Sequence, residues 1–329
     1  MADQRRFRFG VISAARIVPN ALIDAAKNVP EIEVDAIAAR DPARAREFAK
    51  QHGIARVLAS YDDLINDRNV DVIYNPLPNS LHCEWTIRAL RAGKPVLCEK
   101  PLSSNAREAE EMARVADDTG LLLGEAFHYH YHPLANRVRQ IIQSGTLGRL
   151  ASVAGRFTVP IPPDNIRYDW SLAGGATMDL GCYPLHMIHH FTGRAPKVVS
   201  AQAKTGPEQI DVAMEAELQL EGGVTAKMNC AMSQDSPIAV TFAANGDRGE
   251  LHVLNPLAPQ RGNRITLKTS DGEKQESIAG ESTFTCQLRA FVAALRGDAK
   301  FPTDARAGIG NMRIIDEVYR AAGLRPRAT

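Results

Sequence analysis

No stretch of the chain stays apolar for the roughly 20 residues that a membrane-spanning helix needs. An excess of one charge is missing too: 39 Lys and Arg stand against 38 Asp and Glu, a formal net charge of +1. The first absence argues against a helical membrane span. The second removes the electrostatic footprint by which nucleic acid or an anionic membrane surface is gripped. Cysteine is sparse: Cys83, Cys98, Cys182, Cys230 and Cys286 are odd in number and never spaced C-x-x-C. That pattern argues against a disulfide framework or a zinc site and for reduced thiols in the cytoplasm. The opening "MADQRRFRFGVIS" lacks the apolar core and small-residue cleavage site of a secretion signal. There is no internal repeat and no low-complexity stretch.

What is present is an ordinary globular composition, 44% hydrophobic and 23% charged, over 329 residues, a length that suits two domains. The first part alternates apolar strands with amphipathic helices: "RFRFGVI", "EVDAIAAR", "VDVIYNPL", "PVLCEK" and "LLLGEAF" are separated by helical stretches, one opening on Asp41 and two closing on Gly53 and Gly120. The strands are too continuously apolar to have a wet face. They predict a doubly wound parallel sheet covered by helices on both sides, an α/β domain over residues 1–126. Beyond it, segments such as "VAMEAELQLEGGVTAKMNCAM" alternate with period two and turn at "EGG", "NG" and "DG". Residues 127–329 are therefore expected to form an α+β domain built on a mainly antiparallel sheet.

In "FGVISAARIVP" the first strand turns sharply into a helix, where a dinucleotide fingerprint would read G-x-G-x-x-G. Its three glycine places hold Ser13, Ala15 and Val18, with Gly10 earlier on the strand. Small residues still let the backbone approach a pyrophosphate at a helix N-terminus. Ser13, Ala14, Ala15, Arg16 and Ile17 are accordingly cofactor candidates. An NAD site ends its second strand on an acid for the ribose hydroxyl, and an NADP site replaces it with a cation. Here the end reads "AARDP": Ala39 holds the acid's place, Arg40 follows, and Asp41 is read as a helix cap, which predicts NADP over NAD.

Ligands of a doubly wound sheet bind beyond the carboxyl ends of its strands. Three such ends carry unusual residues: "NPLPNSLH", "CEKP" and "GEAFHYH" collect Pro76, Leu77, Asn79, His82, Glu99, Lys100 and Glu125, of which all but Glu125 are expected to contact cofactor. These motifs, with "AGKPVLCEKPL", "GEAFHYHYHP" and "GGATMDLGCYPLHM", resemble in order and spacing the glucose-fructose oxidoreductase and inositol dehydrogenase (Gfo/Idh/MocA) family over nearly the whole chain. They are most similar to its branch holding glucose-fructose oxidoreductase and dimeric dihydrodiol dehydrogenase. The resemblance implies a Rossmann domain, a second domain with a large open-faced sheet, and NAD(P)-dependent oxidation or reduction of a hydroxyl-bearing substrate. It implies that Lys100 is the catalytic lysine and that the Lys100–Pro101 peptide is cis.

Hydride transfer to a carbonyl builds negative charge on oxygen, which a half-buried ammonium stabilises and finally protonates. The second domain is expected to supply the partners. Asp179, Tyr183, His186 and His190 are spaced to share one helical face, with Pro184 starting or kinking that helix. Asp179 and Tyr183 match the family's acid and aromatic. They are assigned to orient Lys100 and bind a substrate hydroxyl (Asp179), and to hydrogen-bond the reacting oxygen or relay its proton (Tyr183). In "NIRYDW" the family places an arginine and an aromatic, making Arg167 a cofactor candidate and Trp170 a substrate candidate. In "HYHYHP" an extended segment would put His128, His130 and His132 on one face. His128 and His186 are expected to contact substrate and no metal is expected, since no H-E-x-x-H pattern occurs.

The reading that follows is an NADP-dependent oxidoreductase of a sugar, polyol, dihydrodiol or similar small molecule. A relative that cleaves glycosides through bound NAD and a non-catalytic cofactor sensor are the alternatives. Val212, Met214, Ala216 and Leu218 are expected to need cover from a second copy, giving a homodimer or homotetramer packed sheet to sheet. The C-terminal helix is expected to pack back toward the first domain.

Overall fold

The computed structural model describes residues 6–328, which divide into two compact units: residues up to 127 with 284–309, and residues 128–283 with those from 310 onward.

In the first unit β1 (Phe7–Ile12), β2 (Ile32–Ala38), β3 (Arg56–Val57), β4 (Val72–Asn75), β5 (Val96–Cys98) and β6 (Leu123–Glu125) form one sheet in the order β3-β2-β1-β4-β5-β6. Every pairing is parallel. The last three strands are buried along their whole length, as strands covered on both faces must be. The helices between them are α1 (Asp24–Ala26), α2 (Pro42–His52), α3 (Tyr61–Asn66), α4 (His82–Arg91) and α5 (Ala106–Thr119). Local chemistry sets their ends. Asp41 caps α2 by accepting from the Ala43 and Arg44 amides, and Gly53 closes it at φ 71°, the left-handed conformation glycine adopts freely. The returning segment, with most of α8 (Thr283–Leu295), adds Phe291 edge-on to Phe9 and Phe301.

The second unit carries α6 (Pro133–Gln143), α7 (Cys182–Thr192) and the later part of α9 (Ala305–Ala321). Its eight strands are β7 (Leu150–Thr158), β8 (Lys197–Thr205), β9 (Asp211–Leu220), β10 (Val224–Ala231), β11 (Ala239–Gly246), β12 (Gly249–Leu254), β13 (Arg264–Thr269) and β14 (Gly272–Glu276), in the order β14-β13-β12-β11-β7-β10-β9-β8. All pair antiparallel except β7 with β10. Helix α7 lies across β7 and β10. Gly155 of β7 makes room for it, since a Cβ there would stand 2.8 Å from the Pro184 ring.

Two expectations are corrected here. Val212, Met214, Ala216 and Leu218 are buried inside the unit, on a strand packed against the turn before α7, and need no second copy. The opposite face of those strands is polar, with Lys227 paired to Glu217 and Asn229 donating to Glu215. The segment 128–132 is not extended: His128–Tyr131 form a 3₁₀ turn and His132 caps α6 by accepting from the Leu134 amide. Among the described residues no helix is long and apolar enough to cross a membrane.

Candidate active site

Strand order in the first unit reverses between β1 and β4, and the crevice of a doubly wound sheet opens at such a reversal. The turn after β1 shows why a fingerprint glycine belongs there. Ser13 sits at φ 118°, a conformation that favours glycine, and its amide donates to Ala38 O at 2.8 Å. Ala14 is buried and Ala15 half-buried, so the turn presents little beyond backbone; Ile17 is half-buried and Arg16 exposed. Arg40 stands exposed at the end of β2, and one helical turn on, Arg44 donates Nη2 to Ala14 O at 2.9 Å. Burial raises the Tyr61 phenol, and a backbone hydrogen bond at Arg40 with the charges of Arg40 and Arg44 opposes that rise. Two cations, with Asp41 spent on its helix cap, fit a phosphorylated ribose better than a free hydroxyl. Arg44 is a candidate that sequence reasoning missed. Its signal was the i, i+4 spacing from Arg40 on a helix start.

The tips of β4, β5 and β6 build a mount for Lys100, which is half-buried and precedes a cis Pro101. Glu99 turns inward, accepting from Tyr74 Oη at 2.7 Å, while its amide donates to Asn75 O at 3.0 Å. His82 is fully buried, with Nδ1 2.9 Å from Pro101 O and Nε2 2.7 Å from Leu77 O. Burial holds its pKa down to about 4, and the charge of Lys100 acts in the same direction. His82 was expected to touch cofactor. The structure sets its two ring nitrogens against backbone carbonyls, one in the loop after β4, which carries Pro76, Leu77 and Asn79, and one in the loop after Lys100, and the neutral ring donates to one of the two. Pro76 and Leu77 are buried and Asn79 half-buried, its carbonyl accepting from Ser104 Oγ at 3.5 Å.

Glu125 lies beneath this mount, 1% exposed, its Oε1 accepting from the Leu102 amide at 2.8 Å. Burial pushes its pKa up to about 8, against the Leu102 amide and the charge of Lys100. Gly308 lets α9 approach, since a Cβ there would fall 3.0 Å from Glu125 Oε2. The carboxyl is protonated more readily in the folded chain than in the unfolded one. Its contribution to stability is therefore complete below about pH 4.5 and lost as pH rises toward 8. Glu125→Gln keeps the acceptor and removes the titration. Its stability relative to wild type is expected to rise progressively across that window, read from denaturation midpoints at a series of pH values. A difference independent of pH would contradict the assignment.

In the second unit, residues Thr177–Gly181 form a π-helical turn that runs directly into α7. Pro184 lies just after the π turn, within this continuous helical stretch, and cannot donate to the turn before it. Of the residues expected on one face, Tyr183, His186 and His190 all meet the Tyr129 ring. Asp179 pairs with Arg167 Nε, and the carboxylate's charge raises the guanidinium pKa further. Arg167 also donates to Asn165 Oδ1 at 3.1 Å. Tyr183 Oη meets His128 Nε2 at 3.0 Å, and His128 Nδ1 meets Thr283 Oγ1 at 2.8 Å. A phenol, an imidazole and a hydroxyl thus stand in file, a path along which a proton can pass. Thr283 was not visible from sequence, being 155 positions from His128.

The remaining histidines have other tasks. His186 Nδ1 meets Tyr129 Oη at 2.5 Å, and burial, reinforced by the charges of His130 and His190, holds its pKa well below the ordinary value. The His130 and His190 rings overlap at 3.9 Å between centroids. Burial holds these two to about 4 and 3, so all three are neutral packing groups at physiological pH. Trp170 lies under the Arg327 guanidinium at 4.3 Å.

Comparison with known proteins follows this geometry. Residues 7–127 match the family model described as an oxidoreductase family with an NAD-binding Rossmann fold, GFO_IDH_MocA, and residues 135–252 match the GFO/IDH/MocA C-terminal domain. A D-xylose 1-dehydrogenase (NADP(+)) of Haloferax volcanii is 33% identical over 95% of this chain and 97% of its own. A trans-1,2-dihydrobenzene-1,2-diol dehydrogenase of Sus scrofa is 34% identical over 76% of this chain and 74% of its own. KijD10, a 3-ketoreductase from Actinomadura kijaniata solved with NADP and TDP-benzene, superposes with a TM-score of 0.90 at 31% identity over 98% of each chain.

Proposed function

Because the chain belongs to the Gfo/Idh/MocA oxidoreductase family, we propose that it is an NADP-dependent oxidoreductase acting on a hydroxyl or carbonyl of a small sugar, polyol or dihydrodiol, with Lys100 as its central catalytic group. The observation that carries this reading is the His82 tie. It joins the loop after β4, at the reversal where a dinucleotide is held, to the residue following Lys100. Bound NADP supplies or accepts the hydride. The turn at Ser13–Ile17 would cradle its pyrophosphate, and Arg40 with Arg44 its 2′-phosphate. Lys100 stabilises the negative charge on the reacting oxygen through its ammonium. Asp179, oriented by Arg167, accepts a hydrogen bond from a substrate hydroxyl. During oxidation Tyr183 takes the substrate's hydroxyl proton on Oη and gives its own to His128 Nε2; reduction reverses both transfers. Thr283 accepts from Nδ1 and so holds the tautomer in which Nε2 is free to receive.

The xylose and dihydrodiol enzymes among the relatives define a first panel: D-xylose, D-glucose, xylitol and trans-1,2-dihydrobenzene-1,2-diol with each cofactor, followed at 340 nm. At least one is expected to turn over with NADP and far more slowly with NAD. Arg40→Ala should raise the KM for NADP by roughly tenfold to a hundredfold, the worth of one charge-assisted contact, and leave NAD use unchanged. Equal use of both cofactors by the wild type would contradict the assignment.

A second copy of the chain is proposed to cover the open face of the eight-stranded sheet. Val199 in β8, Ile238 before β11 and Leu254 in β12 are large apolar side chains left exposed on these strands. Light scattering at micromolar concentration is expected to give a dimer or tetramer; a monomer would contradict it. Five cysteines, odd in number and never spaced C-x-x-C, suit a reducing compartment such as the cytoplasm.

A further inference from the structure

We propose that the segment after α9 is part of the substrate machinery, with Arg327 as a positioning residue for the loop that presents Arg167 and Asp179. This rests on reading Asp179 as a substrate-binding group. Arg327 is completely buried, which is unusual for any arginine. Its Nε donates to Gly174 O at 2.6 Å, and its Nη2 pairs with Asp211, itself fully buried. The planar guanidinium lies over Trp170 at 4.3 Å and over Tyr319 at 4.4 Å. Asp211 in turn accepts from the Thr177 amide at 2.7 Å and from Tyr319 Oη at 3.0 Å. One arginine thus holds both ends of the 170–177 stretch, by its ring, its carbonyl and, through Asp211, its last amide.

The stretch so held leads directly to the site. Gly175 N donates to Arg167 O at 2.8 Å, Asp179 N donates to Gly175 O at 3.1 Å, and the Arg167 side chain closes the loop on Asp179. The glycine pair of "GGATMDLG" is explained by the same packing. A Cβ on Gly175 would lie 2.2 Å from Asp211 Oδ1 and 2.6 Å from Arg327 Nη2, and one on Gly174 would lie 2.4 Å from Arg167 O. Gly175 also sits at φ 128°, open to glycine and strained for other residues. A buried ion pair contributes little net stability compared with apolar packing. Its placement on this loop, with the planar fork and stacking that lysine cannot supply, points to fixing the geometry of Asp179.

Three changes test this in the full-length chain: Arg327→Ala, Arg327→Lys, and the charge-neutral combination Arg327→Met with Asp211→Asn. Asp179→Asn runs in parallel. Each is followed by circular dichroism, by NADP binding, by acrylamide quenching of Trp170 in a Trp85→Phe background, and by kinetics on whichever panel compound turns over fastest. We expect all three to lose about tenfold or more in kcat/KM, mainly through KM, as misplacement of a binding group does. Trp170 becomes more quenchable, NADP affinity stays unchanged, and millimolar guanidinium partly restores Arg327→Ala. Folded variants that keep wild-type kcat/KM would overturn the proposal, as would losses that merely track the folded fraction. Full turnover by Asp179→Asn would instead remove the site reading on which it rests. A lost Asp179→Asn beside an intact Arg327→Ala rejects this inference alone.

Discussion

Lys100→Met is expected to lower kcat by about a thousandfold, within the range removed with a group that stabilises a developing oxyanion, while NADP still binds with nearly wild-type affinity. The two effects separate because the residues assigned to the dinucleotide lie elsewhere: the Ser13 turn, Arg40 and Arg44. Lys100 belongs to the mount at the tip of β5, with Pro101 held by His82 and Leu102 held by Glu125. Methionine keeps the length of the side chain and loses the ammonium. Cofactor binding, read by the fluorescence of NADPH, and turnover, read at 340 nm, measure the two halves independently. A variant keeping a tenth of wild-type kcat would remove Lys100 from the chemistry.

Tyr183→Phe is expected to lower kcat/KM by about a hundredfold, with smaller change in NADP affinity. The hydroxyl is the first member of the file Tyr183–His128–Thr283, so its loss removes both the hydrogen bond to the reacting oxygen and the route for its proton. His128→Gln leaves the phenol in place and interrupts the route behind it. It should therefore cost less, about tenfold, and alter the pH dependence of kcat. If His128 serves only to pack against Tyr183 (the rings meet edge to face at 5.9 Å), the substitution would lower stability and leave the shape of the pH profile untouched.

Features set by neighbours in sequence were legible in advance. Continuously apolar strands gave the doubly wound sheet, Asp41 and Gly53 bounded α2, and "CEKP" marked the strand tip that bears Lys100. The turn at Ser13 was legible as a departure from a glycine pattern, and its φ of 118° gives the reason the pattern exists. Features set by distant partners were not legible. Period two in "HYHYHP" suggested an extended strand, yet Pro133 opens α6, which makes His132 a cap and curls the residues before it. Alternation in β9 correctly marked one apolar face. It could not say that the turn before α7 already packs on that strand. Arg327 and Asp211 stand 116 positions apart, and neither residue type nor spacing advertises that they meet.

The most direct test of Lys100 as the catalytic group is a crystal structure of the wild-type chain soaked with NADP. The account predicts the Lys100 ammonium beside the C4 edge of the nicotinamide, within hydrogen-bond reach of where a substrate oxygen must sit, roughly 3 Å from that atom. An amine turned into bulk solvent, or a nicotinamide bound far from the tip of β5, would contradict it.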